Sequence, residues 1–453
     1  MRIARRPARN SLTSPAQFYT DGNSHVVHAS LLLPTVTSPR AVRPAPSKPG
    51  YRSAWWLPGP HLATLWGKFG RREEIRRVRW ETVDTPDGDF VELAHLDAVK
   101  HKRDGEFITT PHLLILHGLE GGVNSHYVRG FMREATERGW NATLLLFRTC
   151  GPTPNRLPRS YHSGETTDLQ FIVERLVAAN PSAPLGVVAV SLGGNVLCKY
   201  LGERGDTLPA QLRGAAAISA PFELARASRY IGRGFGAVYE KAFLKSLIPK
   251  ALVKMARHGK TAGQLFPQIS RVKNARTLWE FDDVFTAPLH GFKDASDYYT
   301  RSSSLQYLSR IRRPTLLLSA VDDPFLPSSV LNEVRAIASH NPALETEFPP
   351  HGGHVGFTGG LLPWKPFYYG EWRAAQFLAD RFAESAHTLG NAAAVLVNEA
   401  PGMIDQHAVG HANENVIRRT VESTPAVVRI DTRANNATTS ESKTADRQHQ
   451  GIS

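Results

Sequence analysis

The chain has 453 residues and carries 54 Lys and Arg against 41 Asp and Glu, a formal charge of +13. It holds no run of about 18 apolar residues, which excludes a transmembrane helix, and its two cysteines, Cys150 and Cys198, cannot build a disulfide scaffold. Eight Trp, 20 Phe and 12 Tyr, set mostly in one central block, exclude a wholly disordered chain, while the basic balance leaves nucleic acid, acidic membrane surfaces and anionic substrates open.

Residues 1–50 are rich in Ser, Pro and Arg and have no periodic apolar face, so a disordered basic extension is expected. Arg2, Arg5, Arg6, Arg9, Arg40, Arg43 and Lys48 oppose Asp21 alone there. That composition also suits an organelle transit peptide. The chain is therefore expected to be cytoplasmic, with organelle targeting left open. Residues 51–384 read as one domain. IRRVRWETV and DFVELAHL around the turn PDGD predict an antiparallel hairpin with Trp80 turned inward. Arg71, Arg72, Arg76, Arg77 and Arg79 are interrupted by Glu73 and Glu74 and read as a solvated edge. No nucleic-acid-binding signature is present, and no nucleic-acid partner is expected.

The apolar runs HLLILHG, NATLLLFR, GVVAVS, GAAAISA and PTLLLSA follow in order, separated by segments with helical spacing. This alternation predicts an α/β fold, a mostly parallel central sheet flanked by helices. No strand signal appears between GAAAISA and PTLLLSA, so a helical cap insertion is expected over about 221–300. That stretch holds 13 basic and 7 acidic side chains. Within it, VYEKAFLKSLIPKALVKMAR (238–257) predicts two short helices broken at Pro249. Their apolar face would lie over the site and their lysines in water. The sharper reading makes this an interfacial segment in peripheral contact with anionic lipid through Lys245, Lys250 and Lys254. Residues 385–453 lose their aromatics and read as a disordered tail.

Chemistry concentrates in VVAVSLGGNVLCKYLGE (187–203). An apolar strand runs directly into Ser191, with Ala189, Gly193 and Gly194 as small neighbours, and a helix follows. A sharp strand-to-helix turn needs such neighbours to expose a nucleophile. The usual G-x-S-x-G carries Ala in its first glycine position here. A serine nucleophile needs a base, and the base an orienting carboxylate, in the chain order Ser, acid, His. Asp322 and Asp323 end PTLLLSAVDD. Asp323 is preferred because Asp-x-x-Leu-Pro is the usual acid loop, with Asp322 as the fallback. In EFPPHGGHVGF (347–357) His354 is preferred over His351 as the base. Two amides should hold the developing oxyanion: Leu192, which follows the nucleophile, and Leu119 in the HGLEGG turn (117–122). No spacing suggests a metal site, and neither a metal nor an organic cofactor is expected.

On these motifs the chain resembles the YheT-like branch of the α/β-hydrolase superfamily, with its eukaryotic abhydrolase-domain lipases and fungal ethanol acyltransferases. The resemblance also runs through PHLATLW (60–66), Phe147-Arg148, YHSGET (161–166), EFDD (280–283), DYY (297–299) and DDPF, and covers most of 55–382. Arg148 is expected to brace the catalytic rim by pairing with Glu165 or Asp168. The EFDD carboxylates are expected to bond backbone or neighbouring Arg. The resemblance implies an α/β-hydrolase fold. It also implies a serine carboxylic-ester hydrolase acting through an acyl-enzyme on short- to medium-chain acyl esters or monoacylglycerols. The alternative is an alcohol O-acyltransferase using the same intermediate.

Overall fold

The structure, a computed structural model, describes residues 50–71, 77–98, 110–265 and 269–398, with backbone alone for 260–265 and 385–398. The expected extension before residue 50, Arg72 and Arg76, and the tail beyond 398 lie outside the described residues.

The hairpin PDGD joins β1 (Arg79–Asp84) to β2 (Phe90–Leu96) antiparallel. The apolar runs form β3 (His112–Leu116), β4 (Asn141–Leu146), β5 (Leu185–Val190), β6 (Leu212–Ile218) and β7 (Thr315–Leu318). A further strand, β8 (Leu344–Glu347), completes an eight-stranded sheet ordered β1-β2-β4-β3-β5-β6-β7-β8. From β4 to β8 every pairing is parallel. Alternate residues of one strand feed opposite cores: Leu114 and Leu116 of β3 join one apolar cluster, Leu113 and Ile115 the other. Both faces are buried, so the central strands read as continuous apolar runs rather than alternating ones.

The covering helices are α1 (Pro60–Phe69), α2 (His126–Glu137), α3 (Thr167–Ala179) and α4 (Leu192–Arg204) ahead of β6. Between β6 and β7 the described elements are all helical: α5 (Leu224–Ile231), α6 (Gly236–Leu265), α7 (Ile269–Lys273), α8 (Leu278–Phe281), a π turn at Asp282–Thr286, α9 (Ala287–Leu289), α10 (Ala295–Ser302) and a 3-10 turn at Ser304–Arg310. They enclose a core of their own, with Leu244, Ala251, Met255, Phe281 and Phe285 buried. After β7 come α11 (Ser328–Ala338), the hairpin β9 (Thr358–Leu362) and β10 (Lys365–Tyr368), and α12 (Tyr369–Asn398). α12 carries the domain past residue 384, where the sequence reading ends it. No described helix is long and apolar enough to cross a membrane.

Two local expectations are corrected. Trp80 is 45% exposed rather than turned inward. β1 is the edge strand, with a neighbour on one side only, and of its residues only Val83 is buried. Nor does Pro249 break the cap segment. α6 runs through it and leaves helical dihedrals only at Gly259 (φ 51°, ψ −119°). Proline removes one hydrogen bond from the ladder, but Leu244, Ala251 and Met255 on either side are held in the cap core. Gly259 takes the positive φ because it has no Cβ to clash.

Candidate active site

β5 ends in Val190, and the next residue, Ser191, turns sharply: φ 54°, ψ −121°. Its amide donates to Ile218 O on β6 at 2.8 Å, which anchors the strained residue. α4 begins at once with Leu192. The small neighbours are required by contact: a Cβ on Gly193 would lie 2.5 Å from His117 O, and one on Gly194 2.9 Å from Ala220 Cβ.

The His loop after β8 brings His354 to this serine. His354 Nε2 lies 3.0 Å from Ser191 Oγ, and Nδ1 lies 2.9 and 3.1 Å from the Asp323 carboxylate oxygens. A carboxylate only accepts hydrogen bonds, so Nδ1 carries the proton and the Nε2 lone pair faces the Ser191 hydroxyl. Asp323 is buried and also accepts from Phe325 N at 2.8 Å. Asp322 does different work. It accepts from Gly353 N at 2.9 Å and pairs with the exposed His351 at 3.2 Å. Thus Ser191, His354 and Asp323 come together, while Asp322 and His351 shape the loop from outside.

Further contacts set the imidazole. His354 N donates to Thr64 Oγ1 at 2.9 Å, and that hydroxyl donates to Pro60 O at 2.7 Å, so α1 holds the loop. Val355 N donates to Ser219 Oγ at 3.0 Å. The Phe325 ring stacks on His354 with centroids 4.0 Å apart. Thr64, Ser219 and Phe325 have no motif spacing that announces these roles. PHLATLW and DDPF mark where two of them lie, but not what they touch.

In the turn after β3, Gly118 N donates to Tyr127 Oη at 2.9 Å and Glu120 N to Tyr161 Oη at 3.0 Å. Leu119 N, between them, has no acceptor among the described residues. Leu192 N opens α4, where the first amides have no intrahelical partner. Leu119, Leu192 and Ser191 line the same cavity. His117 locks the turn. Its Nδ1–H donates to Gly118 O at 2.8 Å, and its Nε2 accepts from Phe147 N at 3.1 Å. Burial pushes this histidine down to about 4, so it stays neutral.

The cavity encloses about 150 Å³ between the sheet's C-terminal edge and the cap. Its walls are mainly apolar, with Leu224, Phe243, Leu247, Phe281, Phe285 and Phe325 among them. Asp282 lies in the wall, bonded by Thr286 Oγ1 and Tyr299 Oη, each at 2.6 Å. Burial raises its carboxyl to about 6. Asp282 thus departs from the backbone and Arg contacts expected for EFDD, while the other two carboxylates follow them: Glu280 accepts from Arg276 N at 2.7 Å, and Asp283 accepts from Ala295 N at 3.1 Å and pairs with Arg271 at 3.7 Å. Two lysines of α6 line the cavity, Lys254 half-buried and Lys250 still 45% exposed along its side chain. Lys250 Nζ pairs with Glu120 at 2.8 Å, and Lys254 Nζ donates to Leu157 O and Arg159 O at 3.1 and 2.9 Å. Desolvation lowers Lys254 to about 8. Of the three lysines proposed to meet lipid, Lys245 alone remains exposed without a described partner.

Arg148 is buried and braces the strand end through three carboxylates: Asp168 at 2.7 Å, Asp87 at 2.8 Å and Asp89 at 3.1 Å. Of the two expected partners it takes Asp168, while Glu165 pairs with Arg159. Among the described residues no group of three His, Cys, Asp or Glu side chains could hold a metal ion. The arrangement as a whole offers a serine on a strained backbone, an imidazole hydrogen-bonded to its hydroxyl, a buried carboxylate behind, and Leu119 and Leu192 lining the same apolar cavity.

Comparison with known proteins fits this geometry. The sequence profile of the alpha/beta hydrolase fold matches residues 111–360. YheT of Escherichia coli (strain K12), which carries the name of an esterase, is 38% identical over 305 residues, covering 67% of this chain and 85% of that protein. Phospholipase ABHD3 of Bos taurus is 29% identical, covering 67% of this chain and 72% of its own. A monoacylglycerol lipase of Saccharomyces cerevisiae is 30% identical, covering 54% of this chain and 55% of its own.

Proposed function

We propose, because this chain belongs to the α/β-hydrolase family and to its YheT-like branch of esterase- and lipase-type hydrolases, that it is a serine carboxylic-ester hydrolase working through an acyl-enzyme. Its substrates are short- to medium-chain acyl esters or monoacylglycerols. The observation that carries this reading is the unbroken hydrogen-bonded chain from Ser191 Oγ through His354 to Asp323, opening into an apolar cavity.

In the proposed mechanism Ser191 Oγ attacks the ester carbonyl carbon as His354 Nε2 takes its proton. Asp323 holds the Nδ1–H tautomer and stabilises the imidazolium that results. The amides of Leu119 and Leu192 donate to the tetrahedral oxyanion; each such donor is worth about 10²–10³ in rate. The intermediate collapses with loss of the alcohol, which takes the proton from His354. Water then attacks the acyl-enzyme, giving its proton to the same nitrogen, and the acid leaves as Ser191 Oγ is reprotonated. The strained Ser191 backbone keeps the hydroxyl at the strand end, clear of the helix that follows. The apolar walls suit an acyl chain, and the yeast relative's name favours a monoacylglycerol as one of the esters.

A fluorophosphonate probe tests the nucleophile: it should label the wild-type chain and not Ser191→Ala. Equal labelling of both would falsify the assignment. A panel of p-nitrophenyl esters of increasing chain length, run against the same control, then reads the acyl range.

A further inference from the structure

The surface beside the His loop is unusual for a water-facing one. On the β9–β10 hairpin Leu361 is 81% exposed and Trp364 73% exposed, with Leu362 and Phe367 also out. Trp55, 74% exposed, is tied to this hairpin by its Nε1–H donating to Leu361 O at 2.9 Å. Trp56 Nε1–H donates to Gly360 O at 3.1 Å, and its ring packs edge-on against Trp66 of α1. α1 in turn exposes Leu62 and Phe69. On the cap side His61 touches Phe235, itself 48% exposed. Bonded contacts therefore link the hairpin, the entrance segment, α1 and the cap into one apolar band. Isolated exposed apolar side chains are ordinary; a connected band of this kind marks an interaction surface.

The band's charge selects the partner. Residues 51–71 and 358–370 contain no Asp or Glu, while Arg52, Lys68 and Lys365 stand exposed among the aromatics. Flanking acids on α2 are matched: Glu134 pairs with Arg138, and Glu137 with Arg133. Trp at a tip with Lys beside it suits the boundary between lipid headgroups and acyl chains, where amphipathic rings and long basic side chains are both satisfied. A basic surface attracts an anionic leaflet.

The band also leads to the catalytic centre. Thr64 of α1 holds the His354 amide, and His61 reaches Tyr239, whose ring packs against Phe325 on His354.

We infer that the β9–β10 hairpin, Trp55 and α1 form a docking surface for an anionic lipid interface, placing the cavity where ester substrates dissolve. This relocates lipid contact from the α6 lysines, two of which are engaged within the protein.

Flotation of the full chain with vesicles tests it without relying on catalysis. Wild type should float with vesicles of mixed phosphatidylglycerol and phosphatidylcholine and bind phosphatidylcholine alone more weakly. Leu361→Ser with Trp364→Ser should lower binding at least about tenfold. Lys68→Gln with Lys365→Gln should remove the preference for anionic vesicles. Unchanged circular dichroism and unchanged hydrolysis of a soluble ester check that both variants are folded; the lysine pair, fully on the surface, serves if the apolar pair is unstable. No flotation of wild type overturns the inference, as does equal flotation of the variants. So does sedimentation showing a concentration-dependent dimer that the apolar pair abolishes, since the band would then be covered by a second copy.

Discussion

Glu120 and Lys250 meet at 2.8 Å, joining the turn that carries the Leu119 amide to helix α6 of the cap. The same carboxylate accepts from Tyr161 Oη at 2.9 Å and from Ser246 Oγ on α6. Glu120 also holds a positive φ of 55°, uncommon for a residue with a side chain. The cap thus grips the turn whose geometry sets the proposed oxyanion donor. Glu120→Gln keeps the side chain's volume and removes its charge, and Lys250→Met removes the other pole. Each is expected to lower kcat on a soluble ester about tenfold, less than loss of a whole donor, because the amide is misplaced rather than missing. The double variant should fall no further than the worse single one. Unchanged kcat in both single variants would sink this coupling.

The two adjacent aspartates should separate cleanly. Asp323 faces the imidazole and Asp322 the backbone of the loop. Asp323→Asn presents a donor where an acceptor is needed and favours the wrong imidazole tautomer. Its kcat should drop about 10⁴-fold with the fold intact. Asp322→Asn keeps an oxygen for Gly353 N and should stay within about tenfold of wild type. Steady-state kinetics on one ester decides, and equal losses would contradict the assignment.

Acid should destabilise the protein through its buried and half-buried histidines. Burial pushes His112, His117, His126 and His162 down to about 4, and His290 to about 3, from an ordinary value of 6.5. A base depressed in the folded state binds fewer protons there than in the unfolded chain. Its stability contribution is therefore present above about pH 6.5 and lost as pH falls toward 4. Melting temperature should decline across that window. His290→Phe should flatten the slope, since the His290 ring packs against His162 at 4.4 Å and that pair would no longer oppose two protons. A melting temperature constant from pH 7 to 4 would count against it.

Arg148 should prove structural rather than catalytic. Its guanidinium satisfies Asp168, Asp87 and Asp89 away from the cavity. Arg148→Met leaves buried carboxylates without a counter-charge, at a cost of about 3–5 kcal/mol. Arg148→Lys keeps the charge but not the planar fork, and should recover only part of this. Denaturant unfolding measures both, and a neutral Arg148→Met would refute the role.

The sequence made much of the site legible because its chemistry is local. Strand, Ser191, paired glycines and helix occupy one short stretch, and the contacts at Gly193 and Gly194 show why no larger residue fits. The sheet was readable for the same reason, since strands buried on both faces must be apolar throughout. Trp80 misled because an aromatic in a strand is ordinarily a core residue, even though the neighbouring Arg cluster already pointed to a solvated edge. Pro249 misled because propensity speaks for an isolated helix, while α6 is held by Leu244, Ala251 and Met255 in the cap core. The α6 lysines misled because helical spacing shows that charges share a face, but not that Glu120 and two backbone carbonyls wait opposite it.

By itself, then, the sequence determined the α/β order of elements, the elbow at Ser191 and the short menu of acids and bases. The sequence preferred Asp323 and His354, but tertiary structure alone showed what each aspartate bonds, because Asp322 and Asp323 are neighbours in the chain and point to different partners across a gap of about 30 residues. It alone placed Thr64 beneath His354, a hydrogen bond between residues 290 positions apart. Local pattern encodes backbone conformation and burial. The direction of a buried polar side chain is settled by whichever donors and acceptors the folded chain brings within about 3 Å of it.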